Sequence, residues 1–263
     1  MAPGMRKRLL APVVALTAVL AGAPGMLAQG GPQAARPATT AAVPDLSGLW
    51  SPVGTNTFDP ADPSGKRAAD LTRYPMSPLG LEKFNENKVA HGANQQQKSN
   101  DPTNKCTPPG SPRSYVNPYP VEFVQSRTRL AMLFEYDVVY RVVYLDGRAH
   151  PDDGVTTWMG HSVGKWEGDT LVIHTTGFNG KSWLDRIGHP YSEELQLTER
   201  IRRVDSDTLQ VDLTFHDPKM YTRDWNGQKI FKLKPTWELK EYVCEDNYTF
   251  DEFQTTTGVE FVK

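Results

Sequence analysis

Residues 160–164 spell Gly-His-Ser-Val-Gly, a literal G-x-S-x-G. In an α/β-hydrolase that pattern exposes a nucleophilic Ser on a strained turn from strand into helix. Ser162, Asp185 and His189 even follow one another in the chain order of such a triad. The neighbouring residues argue against it. Lys165-Trp166-Glu167-Gly168-Asp169, followed by Thr170 to Phe178, reads as a hairpin, which offers neither an elbow nor a helix N-terminus. Small glycines in a curved strand account for the motif better. The stretch Lys181 to Glu194 is richer. It gathers Trp183, Asp185, Arg186, His189, Tyr191, Ser192, Glu193 and Glu194 between two strands, and loops on rigid scaffolds often carry function. If the chain turns at Gly188, Asp185 and His189 are spaced to work as a general acid–base pair, with Tyr191 beside them. The alternative is a solvated loop anchored by Trp183.

A second signal is charge on apolar faces. Leu195, Leu197, Glu199 and Ile201 share one side of a strand, with Gln196, Thr198, Arg200 and Arg202 on the other. Arg141 interrupts the apolar face of Val139, Val143 and Leu145. An unpaired buried charge costs several kcal/mol, so an inward Arg141–Glu199 pair answers both anomalies. That pair is either a structural ion pair on a barrel floor or a grip for a carboxylate, carbonyl or hydroxyl of a ligand. His161 shares a face with Val163, His174 with Val172 and Thr176, and His216 with Asp212 and Thr214. Each is a structural histidine or part of a binding surface; His161, His174 and Trp183 join Arg141 and Glu199 as candidate ligand contacts. No His-x-His, His-Glu-x-x-His or paired Cys-x-x-Cys occurs, so no dedicated metal site is expected. Neither a phosphate-binding Walker loop nor G-x-G-x-x-G occurs, so no nucleotide cofactor is implied.

The elements that must position these groups are strands. From Val121 onward hydrophobicity alternates with period two. Val121 to Ser126 pairs with Arg129 to Tyr136; Val138 to Leu145 ends in the turn Asp146-Gly147; His161 to Trp166 meets Thr170 to Phe178; Leu195 to Val204 meets Thr208 to His216; Ile230 to Val243 closes the series. Asp45 to Trp50 opens the fold. About eight or nine strands joined by short polar turns, with no helix long enough for a parallel crossover, predict an all-β, antiparallel up-and-down barrel or curled meander. A two-sheet sandwich is the alternative. Residues 51–120 are polar and proline-broken and read as a strap or lid, with one short helix in which Ser77 caps, Pro78 sits at the first position, and Leu81 and Phe84 share a face.

Several of these stretches together resemble a known family. They are Gly164-Lys165-Trp166-Glu167-Gly168-Asp169-Thr170-Leu171-Val172, Thr176-Gly177-Phe178-Asn179, Trp183-Leu184-Asp185, Glu199-Arg200, and Asp217-Pro218-Lys219 with Tyr221-Thr222. The combination resembles a widespread family of secreted bacterial proteins without an assigned biochemical function, over roughly Asp45 to Glu245. The opening Gly48-Leu49-Trp50 is similar to the Gly-x-Trp strand of lipocalin-like barrels. The resemblance implies export and a β fold and transfers no reaction. The family pattern places a His after the Pro of its Gly-x-Pro-His stretch; this chain has Tyr191 there, with His189 two residues earlier.

Export is also the reading of the first 28 residues. Arg6, Lys7 and Arg8 precede an apolar run from Leu9 to Leu20, too short to span a bilayer, and small residues lead to a cleavage point after Ala28. Residues 29–44 read as a disordered linker, and 45–263 as one domain. No Cys stands at the cleavage point just after the apolar run, so no lipid anchor is expected. A net charge of −2 gives no reason to expect nucleic acid or an anionic membrane. Ten Tyr, ten Phe and six Trp suit strands and a pocket for organic ligands. Two cysteines in an exported chain favour a Cys106–Cys244 disulfide over two buried thiols. The functional expectation is an exported binding protein for an apolar or aromatic small molecule. The alternative is a cofactor-independent enzyme, a hydrolase, lyase, isomerase or cyclase working through Asp185, His189 and Tyr191.

Overall fold

The computed structural model describes residues 43–54, 57–58, 70–89 and 99–245. The expected signal segment, residues 29–42 of the expected linker, and parts of the strap lie outside the described residues. Among the described residues nine strands close into a barrel in sequence order. They are β1 (Gly48–Val53), β2 (Val121–Gln125), β3 (Arg129–Phe134), β4 (Tyr140–Tyr144), β5 (His161–Glu167), β6 (Thr170–Thr176), β7 (Gln196–Arg203), β8 (Thr208–His216) and β9 (Trp225–Leu233). β9 returns to β1 through Trp50↔Leu233 to Val53↔Ile230, so none of the described strands is left at a free sheet edge.

The two-residue period explains the strands. On β8, Leu209, Val211, Leu213 and Phe215 are buried, while Gln210, Asp212 and Thr214 alternate outward. With Trp50, Phe123, Met132, Ile173, Leu197 and Phe231 from the other strands they fill the interior with side chains. Each such side chain contributes roughly 1.5–3 kcal/mol by leaving water, so the interior is a packed core.

The expectation of purely antiparallel pairing needs one correction. Direction cannot alternate all the way round a closed ring with an odd number of strands, so one neighbouring pair must run parallel. That pair is β4–β5, joined by only two register positions, Val143↔Ser162 and Tyr144↔Val163. A parallel step needs a crossover of a dozen or more residues. Residues 145–160 make it without any helix. The last strand also differs from expectation. It begins at Trp225 and ends at Leu233, because Lys234 N makes the last ladder bond, to Leu49 O (2.8 Å), and Pro235 follows. Its polar start, Asn226-Gly227-Gln228, hides a strand in which a Cβ at Gly227 would lie 2.6 Å from Phe58 Cβ.

The strap holds α1 (Pro78–Glu86), where Ser77 Oγ accepts from Gly80 N (3.0 Å) and Phe84 is buried. The helix approaches the 217–221 turn so closely that a Cβ on Gly80 would lie 2.0 Å from Met220 O. Further along, Arg113 donates to Asp101 in a buried ion pair, and Tyr115 reaches into the barrel. Cys106 and Cys244 are disulfide-bonded, with Cα atoms 5.4 Å apart, tying the strap to the tail beyond β9. Among the described residues no helix is long and apolar enough to cross a membrane.

Candidate functional site

Inside the barrel Arg141 and Glu199 meet as their strand faces predict, at 2 % and 0 % exposure. Arg141 Nη1 donates to Glu199 Oε1 (2.9 Å) and to Tyr115 OH (3.0 Å); Nη2 donates to Glu199 Oε2 and to Thr175 Oγ1 (2.7 Å); Nε donates to Ser162 Oγ (3.0 Å). A guanidinium has five N–H groups, and all five have acceptors. Burial works against the guanidinium charge, but the Glu199 carboxylate and Tyr115 outweigh it and strengthen its hold on the proton. The Tyr115 phenol is pushed up by burial and by Glu199. The cluster therefore ties β4, β5, β6, β7 and the strap together and leaves no guanidinium donor for a ligand.

Ser162 belongs to this cluster and not to a catalytic triad. Its hydroxyl accepts from Arg141 and shares a hydrogen with Thr175 Oγ1 (3.0 Å). It lies within β5, with no turn into a helix.

The 181–194 stretch is packed, not solvated. Trp183, Asp185, His189, Tyr191 and Ser192 are all buried. Asp185 Oδ1 accepts from the backbone N–H groups of Ile187 (3.1 Å), Gly188 (3.1 Å) and His189 (3.2 Å), which builds the turn. Its Oδ2 lies 2.6 Å from His189 Nδ1. That contact places the imidazole hydrogen on Nδ1, and Nε2 finds no hydrogen-bond partner among the described residues. The ring is enclosed by Tyr74 (centroids 3.8 Å) and by Phe84 of α1 (5.0 Å, stacked). The acid–base spacing read from the sequence is thus realised, but sealed under the strap. Burial pushes the Tyr191 phenol above the usual tyrosine range. Trp183 anchors the stretch, with the Arg113 guanidinium 5.4 Å from its ring.

An open surface lies at the β4–β5 seam. With only two register pairs holding the parallel strands, β4 and the incoming crossover diverge. Between them is a cleft of about 530 Å³ walled by Val138, Tyr140, Tyr144, Trp158, Met159 and His161. Val138 and Tyr140 are exposed by 58 % and 68 % at its lip. The crossover is pinned in place: Thr157 N donates to Gly177 O (2.9 Å), Asn179 N to Thr157 O (3.0 Å) and Ser111 N to Trp158 O (3.1 Å).

The crossover also carries His150 back across the barrel wall. His161 and His174 alternate outward on β5 and β6, away from Ser162, Ile173 and Thr175. His150 Nδ1 lies 2.9 Å from His161 Nδ1, and its Nε2 lies 3.0 Å from His174 Nδ1. Of the candidate ligand contacts, His161 alone joins Arg141 in lining the cleft; Glu199, His174 and Trp183 do not. His150, Tyr140, Tyr144, Trp158 and Met159 were not signalled by any motif. For His150, Trp158 and Met159 the signal was the length of 145–160, too long for a hairpin turn. Among the described residues no group of His, Cys, Asp or Glu is arranged to hold a metal ion, since both nitrogens of His150 face neighbouring rings instead of a common point.

Comparison with protein-family models and with curated proteins finds no match for this chain.

Proposed function

We propose that this chain is an exported small-molecule-binding barrel whose ligand lies in the β4–β5 cleft and not in the barrel lumen. The observation that carries the reading is the seam itself. The lumen is filled by side chains, whereas the parallel β4–β5 pair opens a largely apolar, aromatic-walled cleft of about 530 Å³. That volume falls within the roughly 300–1,000 Å³ of small-molecule sites. Tyr140, Tyr144, Trp158, Val138 and Met159 suit an aromatic or apolar ligand body. Export rests on the N-terminal sequence and accords with the disulfide.

Native mass spectrometry of protein purified from its own host tests both halves. Loss of about the first 28 residues and a co-purifying organic molecule are expected. An intact N-terminus would refute export. For the cleft, fluorescence titration with the neutral aromatic probe N-phenyl-1-naphthylamine gives a direct readout. Val138→Asp places a charge at an exposed lip position whose backbone (φ 48°) Asp tolerates well. It should weaken probe binding at least about fivefold, since a charge facing an apolar ligand body costs on the order of 1 kcal/mol or more. Affinity unchanged within about twofold in both Val138→Asp and Tyr140→Ala would remove the cleft from consideration.

A second reading, an acid–base enzyme working through Asp185, His189 and Tyr191, has one observation in its favour. The 2.6 Å Asp185–His189 contact leaves Nε2 as a ready proton acceptor. It requires the strap, with Phe84 of α1, to lift off His189. Formation of a product that disappears in His189→Gln would select it.

A further inference from the structure

The histidine file beside the cleft has a constrained proton count. His161, His150 and His174 are joined by two ring-nitrogen contacts of 2.9 and 3.0 Å. Each contact holds one hydrogen, carried by one nitrogen and accepted by the other. Three neutral imidazoles supply three hydrogens. Two occupy the contacts, so the third sits on an outer Nε2, that of His161 or of His174. One more proton can therefore be added, on the vacant outer Nε2, without breaking either contact. A second would place two hydrogens in one contact and break it. The file stores one positive charge and no more.

Its His161 end lines the cleft, stacked on Tyr144 (centroids 5.3 Å, 22°). The three rings are half-buried and so open to exchange with solvent. Other charges on this face are largely matched. Arg148 lies 3.9 Å over the Tyr144 ring and is paired with Asp146 (2.6 Å). Arg129 reaches the same ring from 5.7 Å. Asp153 acts on His161 with opposite sign to Arg148. Further along the outer face, Glu167 is shared by Lys165 and Arg200. Opposite His174 stand Val163 and Thr198, which carry no charge.

We propose that the file makes the cleft selective for organic acids: an aromatic or apolar body fills the cleft, its anionic group lies against His161, and binding takes up the one proton the file can hold. This rests on the cleft reading above and names its ligand class. Burial, the neighbouring rings and Arg148 hold His150 and His161 below the ordinary imidazole range, which favours the uncharged file when no anion is bound. A bound anion favours the protonated file. Protons are then taken up on binding, and affinity rises as pH falls, with a slope of at most about tenfold per pH unit for one proton. The rise ends where the free file itself becomes charged.

Two fluorescent probes with similar aromatic bodies separate charge from shape. 8-Anilinonaphthalene-1-sulfonate stays anionic from pH 5.5 to 7.5; N-phenyl-1-naphthylamine stays neutral. The ratio of their affinities should increase about tenfold in favour of the anion between pH 7.5 and 5.5. His174→Gln, at the far end of the file and outside the cleft lining, should reduce that pH response; His161→Gln should abolish it. Because only the ratio is read, a change in the cleft itself cancels. A wild-type ratio independent of pH, or a response that survives both substitutions, overturns the proposal while leaving the cleft reading intact if the neutral probe still responds to Val138→Asp. A neutral probe that does not bind the cleft at all removes both readings together.

Discussion

Replacing Glu199 by Gln should destabilise the barrel far more than its small change in shape suggests. The side chain is fully buried and takes two of the five Arg141 N–H bonds. The Gln amide can accept only with its oxygen, and the guanidinium charge is left facing the hydroxyls of Ser162, Thr175 and Tyr115. Removing one partner of a buried ion pair costs about 3–5 kcal/mol. Arg141→Met strands the carboxylate, which escapes only by taking up a proton. Keeping a carboxyl of ordinary pKa protonated at pH 7 costs about 3.7 kcal/mol, on top of the lost hydrogen bonds. The double variant removes both charges and should cost less than the two singles together, with a coupling of about 2 kcal/mol or more. In a domain of this size each 1 kcal/mol shifts Tm by about 2–4 °C, so each single should lose about 6–20 °C. Urea unfolding followed by tryptophan fluorescence gives all three values, with m-values checked for constancy. The Arg141→Met deficit should also shrink on acidification from pH 7 to 5, because proton uptake by the stranded carboxyl becomes easier. Additivity within about 0.5 kcal/mol would show that the pair does not stabilise the fold as argued.

The disulfide and Lys229 supply two further tests. Unfolded, unreduced protein should show no reactive thiol, and Cys106→Ser/Cys244→Ser should lose about 2–5 kcal/mol, since the bridge spans 138 residues and long loops gain most from closure; two titratable thiols would contradict the bond. Lys229 points into the barrel from β9, and burial lowers its amine to about pKa 8, below its unfolded value. The unfolded chain then binds the extra proton between that value and the ordinary lysine range, so stability should rise with pH from about 8 to 9.5. Lys229→Met should flatten that rise; an identical pH slope in wild type and variant would refute it.

Much of the fold was legible in local pattern. The alternation Leu209-x-Val211-x-Leu213-x-Phe215 places β8 at its observed ends, because side-chain direction on a strand depends only on parity. The same parity placed Arg141 and Glu199 inside and made their pairing nearly compulsory, since neither charge could be buried alone. Ser77-Pro78 marked the start of α1 by capping chemistry that is likewise local. The Cys106–Cys244 bond followed from an even count and the expected export, a compositional inference.

What local pattern does not contain is ring closure. Whether β1 meets β9 is settled only by accumulated twist and by the strand count, and an odd count then forces one parallel seam. That seam decides where the cleft opens, and its crossover brings His150 between His161 and His174, residues whose sequence distances say nothing of hydrogen bonding. The strap's fate was equally invisible. The spacing of Asp185 and His189 lets them meet across one turn, yet their enclosure by Tyr74 and Phe84 depends on a segment about a hundred residues earlier packing across them. Side-chain identity and spacing determined which groups can interact; the closure of the sheet determined which of them face solvent and which face each other.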